Sequence, residues 1–147
     1  MFRGRYEHTI DAKGRTSLPA RYRDVLAGIG ERRIILTNAL DKCLNAYAMP
    51  KWIEFEDKIA KLPRFDPAVQ QLKRIYVSGA VECEIDESGR VLIPPTLRDY
   101  AGLNKDVLWA GSGEYAELWD KKTWQTQFEI GDDERRKVAA RLAELGL

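Results

Sequence analysis

Long hydrophobic runs are missing from this 147-residue sequence. None approaches the ~20 apolar residues that cross a bilayer. The start, Met1-Phe2-Arg3-Gly4-Arg5-Tyr6-Glu7-His8, is too polar for a secretory leader. A cytoplasmic location with no membrane partner is therefore expected. Cysteine is scarce too. Cys43 and Cys83 are too few and too far apart for a disulfide framework or a zinc knuckle, and each falls in a strand-like segment where a small buried hydrophobe is expected. With a single histidine, His8, the chain has little material for metal binding or imidazole chemistry, so no metal and no cofactor are expected. Charge of one sign is also lacking, since the formal net charge is only +1.

What the total hides, the distribution reveals. From Met1 to Arg23 the cations Arg3, Arg5, Lys13, Arg15, Arg21 and Arg23 face only Glu7 and Asp11, a local excess of +4. Clustering outweighs the total because salt limits the reach of a charge to about 8–10 Å. Charge alone reads first as a solvated polar face. With 44% hydrophobic and 32% charged residues, the composition is that of a globular chain rather than a disordered one.

The main signal is an internal repeat. Ile10-Asp11-Ala12-Lys13-Gly14-Arg15-Thr16-Ser17-Leu18-Pro19 aligns with Ile85-Asp86-Glu87-Ser88-Gly89-Arg90-Val91-Leu92-Ile93-Pro94, at an offset of 75 residues from Asp11 to Asp86. Arg23-Asp24 then meets Arg98-Asp99 without a gap, and Tyr47 and Trp52 match Trp119 and Trp124 at an offset of 72. Each copy reads as a strand (Tyr6–Ile10, or Val81–Ile85), an Asp-x-x-Gly turn and a returning strand through Arg15 or Arg90. Asp11 and Asp86 suit the start of the turn because their carboxylates can accept backbone N–H groups ahead of them. Gly14 and Gly89 suit its end, where φ is positive. These four are expected to be structural.

Pro19 and Pro94 fit the first turn of short helices that stop at Gly28 and Gly102. Two further strands follow in each copy, Arg33–Thr37 with Cys43–Met49 and Asp106–Ala110 with Tyr115–Trp119, and a helix closes each near Pro50 and Lys121. Asp66-Pro67 starts a linking helix to about Tyr76, and Asp132–Leu145 is a helix with Val138, Leu142 and Leu145 on one stripe. The expected architecture is α+β: a first unit over 1–62, a linking helix over 63–78, a second unit over 79–130 and a C-terminal helix over 131–147. A unit of this size buries little alone, so the copies are expected to share a core.

With paired D-x-x-G-R motifs, the Leu-Pro or Ile-Pro that follows, the opening Met-Phe-Arg-Gly and the total length, the chain resembles the MraZ family over essentially its whole length. The resemblance implies two pseudo-symmetric AbrB-like swapped-hairpin β-barrel units with short flanking helices. It also implies a sequence-specific transcriptional regulator of the promoter of the cell division and cell wall gene cluster, nucleoid-associated, binding short repeated sites in double-stranded DNA as a ring-like homo-oligomer. Arg15 and Lys13 match the family's DNA-contacting loop, and Arg90 is the equivalent arginine of the second copy. Arg3, Arg5, Arg21 and Arg23 suit phosphate contacts. The second copy differs in character: from Glu82 to Tyr100, Glu82, Glu84, Asp86, Glu87 and Asp99 outnumber Arg90 and Arg98, a local balance of −3. The first copy is therefore expected to read DNA and the second to support core and assembly. Arg15 also reads as an ion-pair partner of Asp11, and Arg90 reads either way.

Competing readings are weaker. Gly111-Ser112-Gly113-Glu114-Tyr115-Ala116 spells G-x-G-x-x-A, but a strand follows it where a dinucleotide site needs a helix, so a hairpin turn is expected. Glu54, Glu56 and Asp57 share their helix with Lys51, Lys58 and Lys61, which reads as a solvated ion-paired face. No catalytic constellation and no small-molecule substrate emerge. Trp52, Trp109, Trp119 and Trp124 are expected in cores. The alternative to a DNA reader is a protein-interaction or antitoxin-like assembly module of the same fold.

Overall fold

The computed structural model describes residues 1–147, and the two copies of the repeat contribute the same elements in the same order. In the first, β1 (Arg5–Thr9), β2 (Arg15–Ser17), α1 (Ala20–Gly28), β3 (Arg33–Asn38), β4 (Leu44–Tyr47) and α2 (Met49–Ala60) follow one another. A linker of α3 (Pro67–Leu72) and a π-helical turn (Lys73–Val77) leads to the second. There β5 (Val81–Glu84), β6 (Arg90–Leu92), α4 (Pro95–Ala101), β7 (Asp106–Gly111), β8 (Ala116–Asp120) and α5 (Lys121–Phe128) repeat the pattern, and α6 (Asp132–Glu144) ends the chain.

Local chemistry accounts for most boundaries. Asp66 caps α3 by accepting the Ala68 N–H at 2.8 Å, with Pro67 in the first turn. Pro19 and Pro94 are themselves the N-caps of α1 and α4, one position earlier than expected. Gly102 (φ 59°) ends α4 in the left-handed region as predicted. Gly28 lies within α1 instead, and Gly30 (φ 69°) takes the left-handed position beyond it.

Strand pairing departs from the expected hairpins. After one bridge between Ile10 and Thr16, the two arms of the first turn part company. β1 pairs antiparallel with β7, and β2 pairs with β6, both from the second copy. Reciprocally, β5 pairs with β3 of the first copy. A two-stranded hairpin is marginal by itself, whereas crossing to the other copy carries these arms into one shared core. The large sheet runs β1-β7-β8-β4-β3-β5, an order that reads the same backwards when the copies are exchanged. β4 and β8 meet at its centre, with Asn45 opposite Glu117, and the separate β2–β6 ribbon is centred on Thr16 opposite Val91. A pseudo-dyad therefore passes through both pairs. The expected β-barrel closure is not found, because β1 and β5 end the sheet without pairing to each other.

One principal cluster of 18 buried residues draws on both copies, with Leu18, Tyr22, Ile34 and Leu36 of the first packed with Val91, Ile93, Val107 and Trp109 of the second. Tyr22 is edge-on to Phe2, Tyr6 and Trp109, and its hydroxyl donates to the Gly4 carbonyl at 2.8 Å. A second aromatic group, Tyr47, Trp52, Phe55 and Tyr115, packs on the outer face under α2. Trp52, Trp109 and Trp119 are thus buried and Trp124 half-buried. Cys43 and Cys83 are buried free thiols, and burial pushes the Cys83 thiol up to about 11. By contrast, α6 is exposed along its whole length, its stripe of Val138, Leu142 and Leu145 included. No helix is long and apolar enough to cross a membrane.

Candidate nucleic-acid interface

The two D-x-x-G-R segments fold into the same turn. In the first, Asp11 Oδ1 accepts the N–H of Lys13 at 3.0 Å and of Arg15 at 2.9 Å. The Gly14 N–H returns to the Asp11 carbonyl at 3.0 Å, and the Asp11 N–H reaches the Arg15 carbonyl at 2.9 Å. In the second, Asp86 Oδ1 accepts Ser88 and Arg90 N–H groups, both at 2.9 Å, and the two backbone bonds recur at 2.9 Å. Gly14 (φ 90°) and Gly89 (φ 78°) occupy the left-handed position, as expected of them. The Arg15 backbone N–H, with help from its guanidinium and the Lys13 N–H, holds the Asp11 carboxyl below the usual aspartate range. The N–H groups of Arg90 and Ser88 do the same for Asp86.

The turns lie at opposite ends of the β2–β6 ribbon, whose register sets Arg15 against Leu92 and Ser17 against Arg90. Thr16 and Val91 point into the core, so strand alternation turns Arg15, Ser17, Arg90 and Leu92 outward on one face. Two residues of rise separate the arginine levels, about 7 Å. Arg15 Nε donates to Asp11 Oδ2 at 2.8 Å, the ion pair anticipated as the structural alternative. Arg90 Nε lies 3.4 Å from Asp86 Oδ2, and its Nη1 is 3.9 Å from Asp11 Oδ2. Asp11 thus sits between both arginines. Its bond to the Nε side of Arg15 orients that guanidinium and leaves both Nη atoms without a protein partner.

This geometry does not separate the copies as expected. The side chains of Arg15 and Arg90 are 34% and 35% exposed, on one face. The difference between the turns resides in charge: Ala12-Lys13 in one, Glu87-Ser88 in the other. Lys13 is exposed at the first tip. Arg3 and Arg5 are not brought to the turns. Arg5, at the far end of β1, is about 20 Å of extended chain from Asp11, and its guanidinium lies 4.9 Å from the Phe128 ring centroid. Arg3 lines a groove with Arg21 and Asp24. Sequence reasoning missed Leu92, an exposed leucine between the arginines. The strand alternation of Arg90-Val91-Leu92 was a signal that could have located it.

The rival motifs resolve locally. Gly111–Ala116 is the β7–β8 hairpin, with Gly113 at φ 88° and the Ser112 N–H on the Tyr115 carbonyl at 2.9 Å. Glu54 pairs with Lys51 at 3.1 Å on the surface of α2. His8 is half-buried in β1, where burial first and the Arg23 charge second lower its basicity.

Fold and site together define a tandem strand-exchanged protein that displays two equivalent arginine turns on one ribbon. The family described as "MraZ protein, putative antitoxin-like" matches it twice, over residues 1–75 and 76–145. The chain belongs to the MraZ family. It is 42% identical over 147 residues to a protein of Acetivibrio thermocellus, and 42% identical over 150 residues to one of Thioalkalivibrio sulfidiphilus. A protein of Thermoanaerobacter pseudethanolicus is 40% identical over 147 residues. Each alignment covers 100% of both chains, and each relative is named as the transcriptional regulator MraZ, not as an enzyme.

Proposed function

We propose that this protein is a sequence-specific, double-stranded-DNA-binding transcriptional regulator, and that the β2–β6 ribbon with its two turns is the reading surface. The observation that carries the reading is the pair of arginines, Arg15 and Arg90, held by turn carboxylates on one face, with both Nη atoms of Arg15 free of protein partners. A two-stranded ribbon fits the major groove, and a bidentate arginine on guanine discriminates by about 1–3 kcal/mol. Lys13 adds charge at the first tip. Arg3 and Arg5 lie outside this surface and would serve phosphates only where DNA or a second chain extends toward the far end of β1.

Each half acts as an AbrB-like swapped-hairpin unit, and the interleaving of β1, β2, β5 and β6 between copies supports that finer assignment. The units are drawn at 1–62 and 79–130, joined by 63–78 and followed by 131–147. The target implied by the family resemblance is the promoter of the cell division and cell wall gene cluster, which makes the protein cytoplasmic and nucleoid-associated. One ribbon per chain is a small contact. Assembly into a ring-like homo-oligomer would set several ribbons against repeated sites, and linkage of this kind multiplies affinity about 10²–10⁴-fold. The exposed stripe of α6 and the free edges of β1 and β5 are surfaces available for it.

The test is selection of duplexes from a random-sequence pool by the wild-type protein, followed by titration of wild type, Arg15→Ala and Arg90→Ala across a salt series. Enrichment of a site, affinity that falls with salt and at least tenfold loss in Arg15→Ala are expected. A folded wild type that enriches nothing and binds no DNA would leave the antitoxin-like interaction module as the function.

A further inference from the structure

Two arginines outside the turns are held in a reciprocal arrangement that the DNA reading does not use. A methyl group added at Gly89 would lie 2.7 Å from Cζ of Arg23, and one added at Gly14 would lie 2.8 Å from Cζ of Arg98. Arg23 belongs to α1 of the first copy and Gly89 to the second turn, while Arg98 belongs to α4 of the second copy and Gly14 to the first turn. Each guanidinium therefore covers the turn glycine of the opposite copy. The backbone crosses over in the same sense: the Leu18 N–H donates to the Gly89 carbonyl at 2.9 Å, and the Ile93 N–H to the Gly14 carbonyl at 2.8 Å. Arg98 is further fixed by its Nε bond to the Ile93 carbonyl at 3.0 Å, whereas Arg23 makes no ion pair.

We infer that Arg23 and Arg98 are positioning residues that brace the turn of the opposite copy, so that Arg15 and Arg90 read DNA as one rigid unit. The inference rests on the proposed DNA reading and replaces the expectation that Arg23 contacts phosphate. A planar guanidinium can lie flat where only a hydrogen projects from the glycine Cα. Lysine carries the same charge but no such plane. The glycines are required for positive φ, and their lack of a Cβ leaves room for this close approach. Loss of a brace frees a turn without removing a phosphate contact, so it should weaken discrimination between sequences rather than attraction to DNA.

Arg23→Lys and Arg98→Lys would be titrated against the duplex enriched by wild type and against the unselected pool, with melting temperature measured alongside. Expected are at least tenfold weaker binding to the enriched duplex, unchanged binding to the pool and an unchanged salt slope. Lysine variants that bind like wild type would overturn the brace. So would equal losses on both duplexes in Arg23→Ala with a shallower salt slope, the signature of a phosphate contact. In the wild-type chain, nuclear Overhauser contacts are expected from Arg23 side-chain protons to Gly89 Hα and from Arg98 to Gly14 Hα. Their absence overturns the brace whatever the variants do. A wild type that shows these contacts but enriches no site would retain the brace and defeat the DNA reading instead.

Discussion

The two turns of this molecule have the same backbone and opposite charge at their tips. Asp11 and Asp86 each gather the N–H groups two and four residues ahead, at 2.9–3.0 Å, and each is followed by a glycine of positive φ and an arginine about one-third exposed. Yet the two residues inside the turn are Ala12-Lys13 in the first copy and Glu87-Ser88 in the second. Turn geometry is enforced by three residues of the motif, Asp, Gly and Arg, and the two between them are free to vary the charge. Duplication here preserved a shape and released its electrostatics.

The largest effect should come from what the turns share. Gly14→Ala and Gly89→Ala each force a side chain into the left-handed region, at a cost of about 1–2 kcal/mol, so chemical denaturation should give equal losses. A large difference between them would break the equivalence of the turns. Next comes what they do not share. Glu87→Ala combined with Ser88→Lys makes the second turn resemble the first, and it should raise affinity for the unselected duplex pool about tenfold at low salt. The logarithmic salt slope should steepen by about 0.9 for each added phosphate contact. No change would mean that the acidic turn faces away from DNA.

Smaller still is the pair on the pseudo-dyad, where buried Thr16 faces Val91 and its Oγ1 has no hydrogen-bond partner. Thr16→Val makes the ribbon symmetric and removes an unsatisfied hydroxyl, so a gain of up to about 1 kcal/mol is expected from denaturant titration. The smallest effect concerns pH. The Asp11 and Asp86 carboxyls hold protons less tightly in the fold than in the unfolded chain. Their contribution is therefore present above about pH 4 and is lost as pH falls through the folded values. Asp11→Asn and Asp86→Asn should flatten that acid limb, by equal amounts if the turns are equivalent.

The turns were legible because they are local. Asp-x-x-Gly closes its own hydrogen bonds within five residues, and its recurrence after 75 residues marks the duplication. The strands from Arg33 and from Asp106, the Asp66 cap and the burial of Cys43 and Cys83 followed from the same short-range patterns. The partners of the strands did not. Tyr6 lies opposite Trp109, over a hundred residues away, and nothing in the alternation of β1 names β7 rather than β2 as its neighbour. Any strand edge offers the same N–H and C=O groups, so the partner is chosen by which pairing buries the most apolar surface.

The same reason governs the site. Sequence by itself determined a tandem repeat, two arginine turns and a charge difference between them, because those are written in residues close together along the chain. Only the tertiary structure decided that the turns share one ribbon face, that Asp11 stands between Arg15 and Arg90, and that Arg23 and Arg98 cover each other's glycines. Those relations exist because a single core, too large for either copy alone, draws the arms of each turn across the pseudo-dyad.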